Sequence, residues 1–521
     1  MPILKAIVFV SMISLLCGDA SAKIQGPHSG DDLEMLLPSE SLRAAFVSAR
    51  EAYLSFKLDD AEHQLYHLST SEGGEAAAYL YLSSISMYRF LMTDRDEYEE
   101  EFLLRSDSLK TLLDDIDDSP WRIFIGAEAN LQRAVVRVKR GRYIRAALAA
   151  RTAYKEYNRV ISDDPHFYDA YKGLGLLHLT FEYAPGFYKR FLNILGYSSM
   201  PGQGVAELTK ASEASLYNWE ESRVMLGVLD VVLFGSQRNG EAMLRSLYNQ
   251  YPENPIFSHV LGFYLYSNRR VDEAIVLFRE SADRYDDPTY FFIDYTDQFL
   301  ATCYFYRGDF EESIFYNKRY INNHPGPAVK APANLNVGLA LELLGRRGEA
   351  IPYYENVVSR REFDLDDVAE KKARSLIEAP MSAVERTMLL AQNALAAGKY
   401  EHAALLLTEF MNSGHREPNE IAEATYVLAR VNHAAGNRAR AFDLYQQVID
   451  VPRDPDTRWA PWAEYYRGFM FEEDGRIELA RHSYSEALRY EGDYEYKRSV
   501  EDLATLALKR LELPPVPGTA E

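Results

Sequence analysis

The stretch 467-RGFMFEEDGRIELARHSYSEAL-488 contains the unit from which much of this chain is built. Apolar residues recur at helical spacing on both sides of Gly475, which predicts a helix, a tight turn and a second helix. A small residue, Ala480, stands five positions after this glycine, and Tyr484 follows one helical turn later. The small side chain lets the two helices approach closely, and the aromatic ring fills the space against the neighbouring unit. The stretch therefore predicts an antiparallel helix pair.

The same unit recurs along the second half of the chain. The small residue of the second helix returns about every 38 positions, with roughly 15 extra residues before one of the units. A glycine precedes it by five residues in most units, because glycine tolerates the positive φ that ends a helix and reverses the chain. The small residues of the second helices are Ala274, Ser313, Ala350, Ala403, Ala441 and Ala480, the turn glycines are Gly308, Gly345, Gly398, Gly436 and Gly475, and the small residues of the first helices are Gly262, Ala301, Gly338, Ala391, Ala429 and Gly468.

This spacing resembles the tetratricopeptide repeat. The resemblance implies an all-α fold, a solenoid in which antiparallel helix pairs form a right-handed superhelix. Looser units around Ala61, Ala146 and Ala242 extend the pattern toward the N-terminus. The domain prediction is a flexible leader over 23–40, N-terminal helical repeats over 41–250 with a helical insertion at 173–215, a C-terminal repeat array over 251–512, and a disordered tail over 513–521.

The first 22 residues, MPILKAIVFVSMISLLCGDASA, have the composition of a secretory signal peptide. Lys5 gives a positive start, an apolar run follows, and Ala20-Ser21-Ala22 is a small-residue cleavage site. The run is shorter than the roughly 20 residues that a membrane helix needs, so we expect no transmembrane span in the mature chain. We expect export, to the periplasm or cell envelope. Lipid attachment at Cys17 is the less favoured alternative, because Leu16 before it is bulky.

The net charge restricts the kinds of partner that we expect, and the cysteine content restricts the expected disulfides. The net charge of −21 argues against binding to a nucleic-acid backbone or to anionic lipid. Removal of the signal peptide would leave Cys303 as the only cysteine, so no internal disulfide is expected. Cys303 lies in an apolar helical stretch, which favours a buried structural thiol.

A second resemblance involves the central segment. A helix with small residues (173-GLGLLHLTF-181), a break at Pro185-Gly186, an aromatic and basic helix (187-FYKRFLNILGY-197) and a turn into 202-GQGVAELTKASEAS-215 follow one another. This order is similar to the tetratricopeptide repeat protein 39 family, whose fungal relative is the inclusion-body-clearance protein of the mitochondrial outer membrane. The residues from Phe191 to Ser198 match the most family-specific phrase. The resemblance implies an all-α superhelix without enzymatic chemistry, here as an exported, bacterial-type member.

Motifs for catalysis or for cofactors do not stand out in the sequence. His63 and His67 share one helix face, which is the geometry of a zinc pair, but no third ligand is evident. Carboxylates cluster in 97-EYEEEF-102, 114-DDIDD-118 and 365-LDDVAE-370, where solvated acids are expected at helix starts and in linkers. We therefore expect no enzyme activity, no catalytic residues, no cofactor and no metal.

The resemblance to the repeat family also predicts a binding groove. One face of each first helix lines the concave side of such a superhelix, and the repeat landmarks assign a mainly aromatic set of residues to this face. Aromatic side chains with an arginine suit a peptide ligand. The positions of the chaperone-type carboxylate clamp hold His259, Gln298, Leu335, Tyr426 and Tyr465, so we do not expect that clamp. The predicted groove residues are Phe263, Tyr266, Tyr295, Phe305, Tyr306, Tyr426, Arg430, Trp462, Tyr465 and Phe469.

The sequence thus favours a non-enzymatic, exported scaffold that binds a protein or peptide partner through an aromatic groove. One alternative is a carrier or sensor of an apolar or lipid ligand, held in a cavity near residues 176–197. Another is a hydrolase, which would need two converging carboxylates, one of them with a raised pKa.

Overall fold

The computed structural model describes residues 36–183, 200, 202–234, 239–287, 290–326, 329–358, 364–414, 417–451, 458–492 and 494–511. Within these residues the ordered elements are 24 helices and no strand, which confirms the predicted all-α fold. The predicted signal peptide, residues 23–35 of the predicted leader and the predicted tail 513–521 lie outside the described residues. None of the helices in the described part combines the length and the apolarity that crossing a membrane requires.

The helices are α1 (Glu40–Leu54), α2 (Leu58–Ser69), α3 (Glu75–Thr93), α4 (Asp96–Asp114), α5 (Pro120–Lys139), α6 (Tyr143–Asp163), α7 (Ala170–Tyr183), α8 (Gln203–Ala214), α9 (Trp219–Phe234), α10 (Gly240–Gln250), α11 (Pro255–Ser267), α12 (Val271–Ala282), α13 (Tyr295–Arg307), α14 (Phe310–Asn323), α15 (Lys330–Leu343), α16 (Arg347–Val358), α17 (Asp364–Glu378), α18 (Ala383–Ala396), α19 (Tyr400–Asn412), α20 (Pro418–Ala434), α21 (Arg438–Asp450), α22 (Trp459–Glu473), α23 (Ile477–Ala487) and α24 (Lys497–Arg510).

The chain divides into two compact units. Unit 1 comprises the residues up to Tyr264 together with Asp283–Ile293, and unit 2 comprises Leu265–Ala282 together with the residues from Asp294 onward. The dividing point therefore falls inside α11. The division of the chain into domains at 250/251 stays a prediction.

The turns between paired helices in unit 2 have the geometry that the glycines predict. Gly308, Gly345, Gly398, Gly436 and Gly475 all have positive φ, between 69° and 96°. The small residues of the second helices (Ala274, Ser313, Ala350, Ala403, Ala441 and Ala480) are all fully buried. A helix stop in the left-handed region, followed by a small buried side chain, lets each second helix fold back closely on the first.

Glycines in the first helices let a tyrosine of the second helix pack against bare backbone. A Cβ at Gly338 would lie 2.3 Å from the Tyr354 ring, and one at Gly468 would lie 2.9 Å from the Tyr484 ring. The Tyr354 hydroxyl donates a hydrogen bond of 2.8 Å to Glu342, and the same bond recurs at 2.6 Å from Tyr484 to Glu472. A buried phenol needs such a partner for its hydroxyl.

In unit 2 second helices pack against the first helix of the next pair, and successive first helices also contact one another. α13 contacts α15, α18 contacts α20, and α20 contacts α22, while α13 also reaches α18. The first helices therefore form the inner layer of unit 2, and the second helices lie outside them.

Unit 1 also stacks helix pairs, and its core includes α3, whose residues are mostly buried. Leu37, near the end of the predicted leader, is fully buried, and Ser39 caps α1. In the predicted insertion, a Cβ at Gly175 of α7 would lie 2.8 Å from the Gly204 carbonyl oxygen, so α7 and α8 pack backbone to backbone. Residues 184–199 and 201 of this insertion lie outside the described residues.

Candidate functional site

The ten residues predicted to line a groove differ in exposure. Nine of them belong to unit 2, and Phe263 belongs to unit 1. Tyr295, Phe305, Tyr426 and Tyr465 are buried, with between 3% and 9% of their surface exposed. The partly exposed ones are Phe263, Tyr266, Tyr306, Arg430, Trp462 and Phe469.

The buried members of this set pack into the core of unit 2. The Tyr295 ring lies 4.9 Å from His324, the Phe305 ring lies 5.6 Å from Phe310, and the Tyr465 ring lies 5.6 Å from Tyr484. These contacts hold helices together. The part of the set that can meet a partner is therefore the partly exposed one.

Two predicted groove residues from different helices form a stacked pair. The rings of Tyr266 (α11) and Tyr306 (α13) lie 5.9 Å apart with an interplanar angle of 6°, and their hydroxyl oxygens are 3.5 Å apart. Burial, together with the neighbouring phenol, raises the pKa of Tyr266 well above its ordinary value. Burial also raises the pKa of Tyr306. Both phenols are therefore neutral at physiological pH.

Arg430 of α20 lies among aromatic rings. Its Cζ is 3.6 Å from the centroid of the Tyr466 ring, and its guanidinium donates to the Tyr426 hydroxyl at 3.3 Å. The ring of Trp462 also stacks against Tyr466, with the two ring centroids 5.9 Å apart. Contact with an aromatic face stabilises a guanidinium, but the ring does not neutralise the positive charge.

Arg269 was not among the residues predicted from the sequence. It follows α11 in the turn toward α12, with a positive φ of 62°, and its side chain is partly exposed. Burial lowers the pKa of Arg269, and the positive charge of Arg430 lowers it further.

A signal for Arg269 was present in the sequence. Arg269 stands five residues before Ala274, and a glycine occupies the corresponding turn position in the other units. Tyr466 was also missed, although it lies four residues after Trp462 on the same helix face. We call Tyr266, Arg269, Tyr306, Arg430, Trp462 and Tyr466 the tyrosine–arginine surface.

The structure shows the surroundings of several residues that the sequence offered for metal binding or catalysis. The rings of His63 and His67 lie 4.6 Å apart, but no group of three or more potential metal ligands occurs in the part of the chain that the structure describes. Glu99, from one acidic run, pairs with Arg140 and Arg142. Cys303 is buried, as predicted, and burial raises the pKa of its thiol.

Unit 1 contains a buried ionic cluster that the sequence did not predict. The Lys172 ammonium is 2.6 Å from Glu128 and 2.7 Å from Glu221, and its side chain is 1% exposed. The Tyr157 hydroxyl donates to Glu128 at 2.6 Å. Beside these carboxylates lies a cavity of about 20 Å³, which is room for roughly one water molecule. The cluster joins α5, α6, α7 and α9.

Two family models of the tetratricopeptide repeat match this chain, one over residues 331–364 and the other over residues 388–456. The first match covers the α15–α16 pair, and the second covers most of α18 to α21. The chain contains tetratricopeptide repeats. The tetratricopeptide segments include Ala350, Ala403 and Ala441, which are three of the small residues that define the predicted period.

Solved structures with tetratricopeptide folds align with the chain at low identity. A tetratricopeptide repeat protein from Parabacteroides merdae is 16% identical over 56% of this chain and 98% of its own, with a TM-score of 0.24. Yeast Tom70 is 12% identical over 84% of this chain and 96% of its own, with a TM-score of 0.30. One chain of the APC/C hetero-tetramer Cut9-Hcn1 is 14% identical over 92% of this chain and 100% of its own, with a TM-score of 0.25. No curated protein matches the sequence.

Proposed function

We propose that the chain is a non-enzymatic scaffold that binds a protein or peptide partner through the tyrosine–arginine surface of unit 2. The supporting observation is the position of this surface. Its members come from α11, α13, α20 and α22 and from the turn after α11. Of these helices, α13, α20 and α22 belong to the inner layer. Tyrosine, tryptophan and arginine are the residues that most often dominate binding energy at protein interfaces.

The preformed geometry favours binding. The Tyr266–Tyr306 stack and the Arg430–Tyr466 contact already hold these side chains in place, so little side-chain entropy remains to be lost when a partner binds. Repeat arrays add to this advantage because each unit is held by its neighbours.

The test uses the mature chain to capture a protein from envelope extract, followed by calorimetry with the purified partner. Replacing Tyr266 and Tyr466 together by alanine is expected to weaken binding by about thirtyfold or more, because one hot-spot residue contributes about 2 kcal/mol and the effects of two are not fully additive. Phe315→Ala is the matched control, since Phe315 is an exposed aromatic residue on the second helix α14. Recovery of a lipid without any protein would contradict the proposal, as would an unchanged affinity of the double variant.

We further propose that the chain is exported. The support is the sequence of residues 1–22, with its positive start, apolar run and small-residue end. Fused to a phosphatase reporter that is active only in an oxidising compartment, this segment is expected to give activity, and Leu15→Arg in the apolar run is expected to abolish it. Reporter activity that is equally low for both fusions would refute export.

We also propose that the central segment places the chain with the tetratricopeptide repeat protein 39 family. The support is the order of a small-residue helix, a Pro-Gly break and an aromatic and basic helix over 173–197. An experimental structure of this segment in which no helix follows Pro185-Gly186 would contradict this relationship.

A further inference from the structure

The outward face of α6, in unit 1, carries apolar and cationic side chains in one row. The side of α6 that faces the core is formed by Ala146, Ala149, Ala153, Tyr157 and Val160. The residues on the opposite side recur at steps of four, three and four positions, which places them on one face of the helix. They are Ile144, Leu148, Arg151 and Lys155, which we call the α6 stripe. Ile144 is 70% exposed and Leu148 is 50% exposed.

The cations on this side of α6 lack a counter-charge. Within the described residues, neither Arg151 nor Lys155 forms an ion pair, and the same holds for Arg145, which is exposed one helical turn before Leu148. The acid in the middle of α6, Glu156, accepts a hydrogen bond of 3.1 Å from Asn130 of α5 and so faces the neighbouring helix. Three positive charges therefore border two exposed aliphatic side chains.

Other second helices surround an exposed apolar residue with acids. On α19, Leu405 is 55% exposed and stands one turn from Glu401 and one turn from Glu409. On α12, Val276 is 57% exposed and has acidic residues at the same spacing on both sides. These carboxylates are in keeping with a chain whose net charge is −21. The α6 stripe has the opposite charge and two aliphatic side chains instead of one.

The chemistry of the α6 stripe requires a partner with both apolar and acidic groups. An anionic membrane surface offers both, but it is an extended plane that would repel the other surfaces of a chain with a net charge of −21. A narrow protein segment meets only the residues along α6, because physiological salt screens charges beyond about 8 Å. From residue 144 to residue 155 the stripe is about 17 Å long, which matches three turns of a helix.

We propose that the α6 stripe binds an acidic amphipathic helix of a partner protein. The apolar residues of that helix pack on Ile144 and Leu148, and its Asp or Glu side chains, one to two turns further along, pair with Arg151 and Lys155. This surface belongs to unit 1 and is independent of the tyrosine–arginine surface of unit 2.

The test is fluorescence anisotropy with labelled alanine-rich peptides of about 16 residues, which is long enough to form a helix. The acidic probe carries two leucines one turn apart and glutamates over the next two turns, and the neutral and basic probes carry glutamine or lysine in place of glutamate. The wild-type mature chain is expected to bind the acidic probe about fivefold or more tightly than the neutral probe, because several weak exposed ion pairs act together. Equal affinities for these two probes would overturn the proposal.

Charge reversal separates pairing along the α6 stripe from general electrostatic attraction. Arg151→Glu combined with Lys155→Glu is expected to weaken binding of the acidic probe about tenfold and to make the basic probe the preferred one. The control combines Lys110→Glu on α4 with Arg440→Glu on α21, which changes the net charge equally and should leave the preference for the acidic probe unchanged. Equal effects of the two double variants would show that the stripe has no specific role.

The apolar half of the α6 stripe has its own variant. Ile144→Ser combined with Leu148→Ser is expected to weaken binding of the acidic probe about tenfold, because the leucines of the probe lose the apolar surface that they cover. Val276→Ser combined with Leu405→Ser is the matched control and should bind like the wild type. The replaced side chains are half or more exposed, so the melting temperature should not change. Undiminished binding by the Ile144 and Leu148 variant would contradict the proposed helix contact.

Other occupants of the α6 stripe would give different results. Sedimentation with vesicles of phosphatidylcholine and phosphatidylglycerol that the charge reversal abolishes, without a preference for the acidic probe, would assign the stripe to a membrane surface and overturn the proposal. Self-association that the charge reversal abolishes, again without that preference, would assign it to a second copy of the chain. The Tyr266 and Tyr466 double variant should bind the acidic probe like the wild type, so failure of the proposed function is distinguishable from failure of the α6 stripe.

Discussion

Replacing Lys172 by methionine is expected to lower the free energy of unfolding of unit 1 by about 3–5 kcal/mol. The Lys172 ammonium lies between Glu128 and Glu221 in the core. Burial alone disfavours its charge, but the two carboxylates outweigh this effect and raise its pKa. Without the ammonium, two buried carboxylates remain without their compensating charge. Chemical denaturation followed by tryptophan fluorescence measures the loss, since Trp121 and Trp219 belong to this unit.

The control for this prediction is Lys372→Met. Lys372 pairs with Glu385 at 2.6 Å, but both side chains are 37% exposed. An exposed pair contributes about 0–1 kcal/mol, so this variant should remain close to the wild type. Similar losses for the two variants would show that the Lys172 cluster adds nothing beyond an ordinary surface pair. Adding Glu128→Gln and Glu221→Gln to Lys172→Met should restore part of the lost stability.

The second large effect is expected for Gly338→Ala, which should destabilise unit 2 by about 1–3 kcal/mol. A Cβ at this position would lie 2.3 Å from Tyr354, so α15 and α16 could no longer pack at their present distance. Tyr354 is fully buried and its hydroxyl donates a hydrogen bond to Glu342, so its ring has little room to move away. Thermal and denaturant unfolding of the variant measure the effect.

Gly348→Ala is the matched control for Gly338→Ala. Gly348 lies in α16 with nothing within 4 Å of an added Cβ, and its φ is not positive. This variant should be stabilised by up to about 1 kcal/mol, since alanine is the better helix former. If both glycine variants lost stability equally, close approach to Tyr354 would not be the reason that glycine stands at 338. Tyr354→Leu in the Gly338→Ala background should recover part of the loss.

Gly338 and Lys172 differ in how far the sequence alone reveals their structural role. Gly338 could be recognised from the sequence, because a small residue recurs at that point of every unit. Lys172 could not, because Glu128 and Glu221 lie 44 and 49 positions away and follow no repeat. A buried lysine within an apolar helix is visible as an anomaly, but its partners come from other helices that only folding brings together.

In the candidate site, too, some features could be predicted from the sequence and others could not. The repeat landmarks selected Tyr266, Tyr306 and Arg430 because these residues fall on or near the predicted groove face of first helices. They could not separate the partly exposed Trp462 from the buried Tyr465, since neighbouring residues on one helix differ in exposure according to what packs against them.

The sequence by itself determined the helix pairs, their turns and their period, because these depend on short-range spacing: a glycine that permits positive φ, a small residue at the helix contact and an aromatic ring beside it. The tertiary structure alone decided which charges meet. It enclosed Lys172 with two carboxylates in unit 1, and it set the Arg430 guanidinium against the ring of Tyr466 in unit 2. Charge partners are chosen by proximity in space, and in a stack of repeats that proximity depends on how successive units pack.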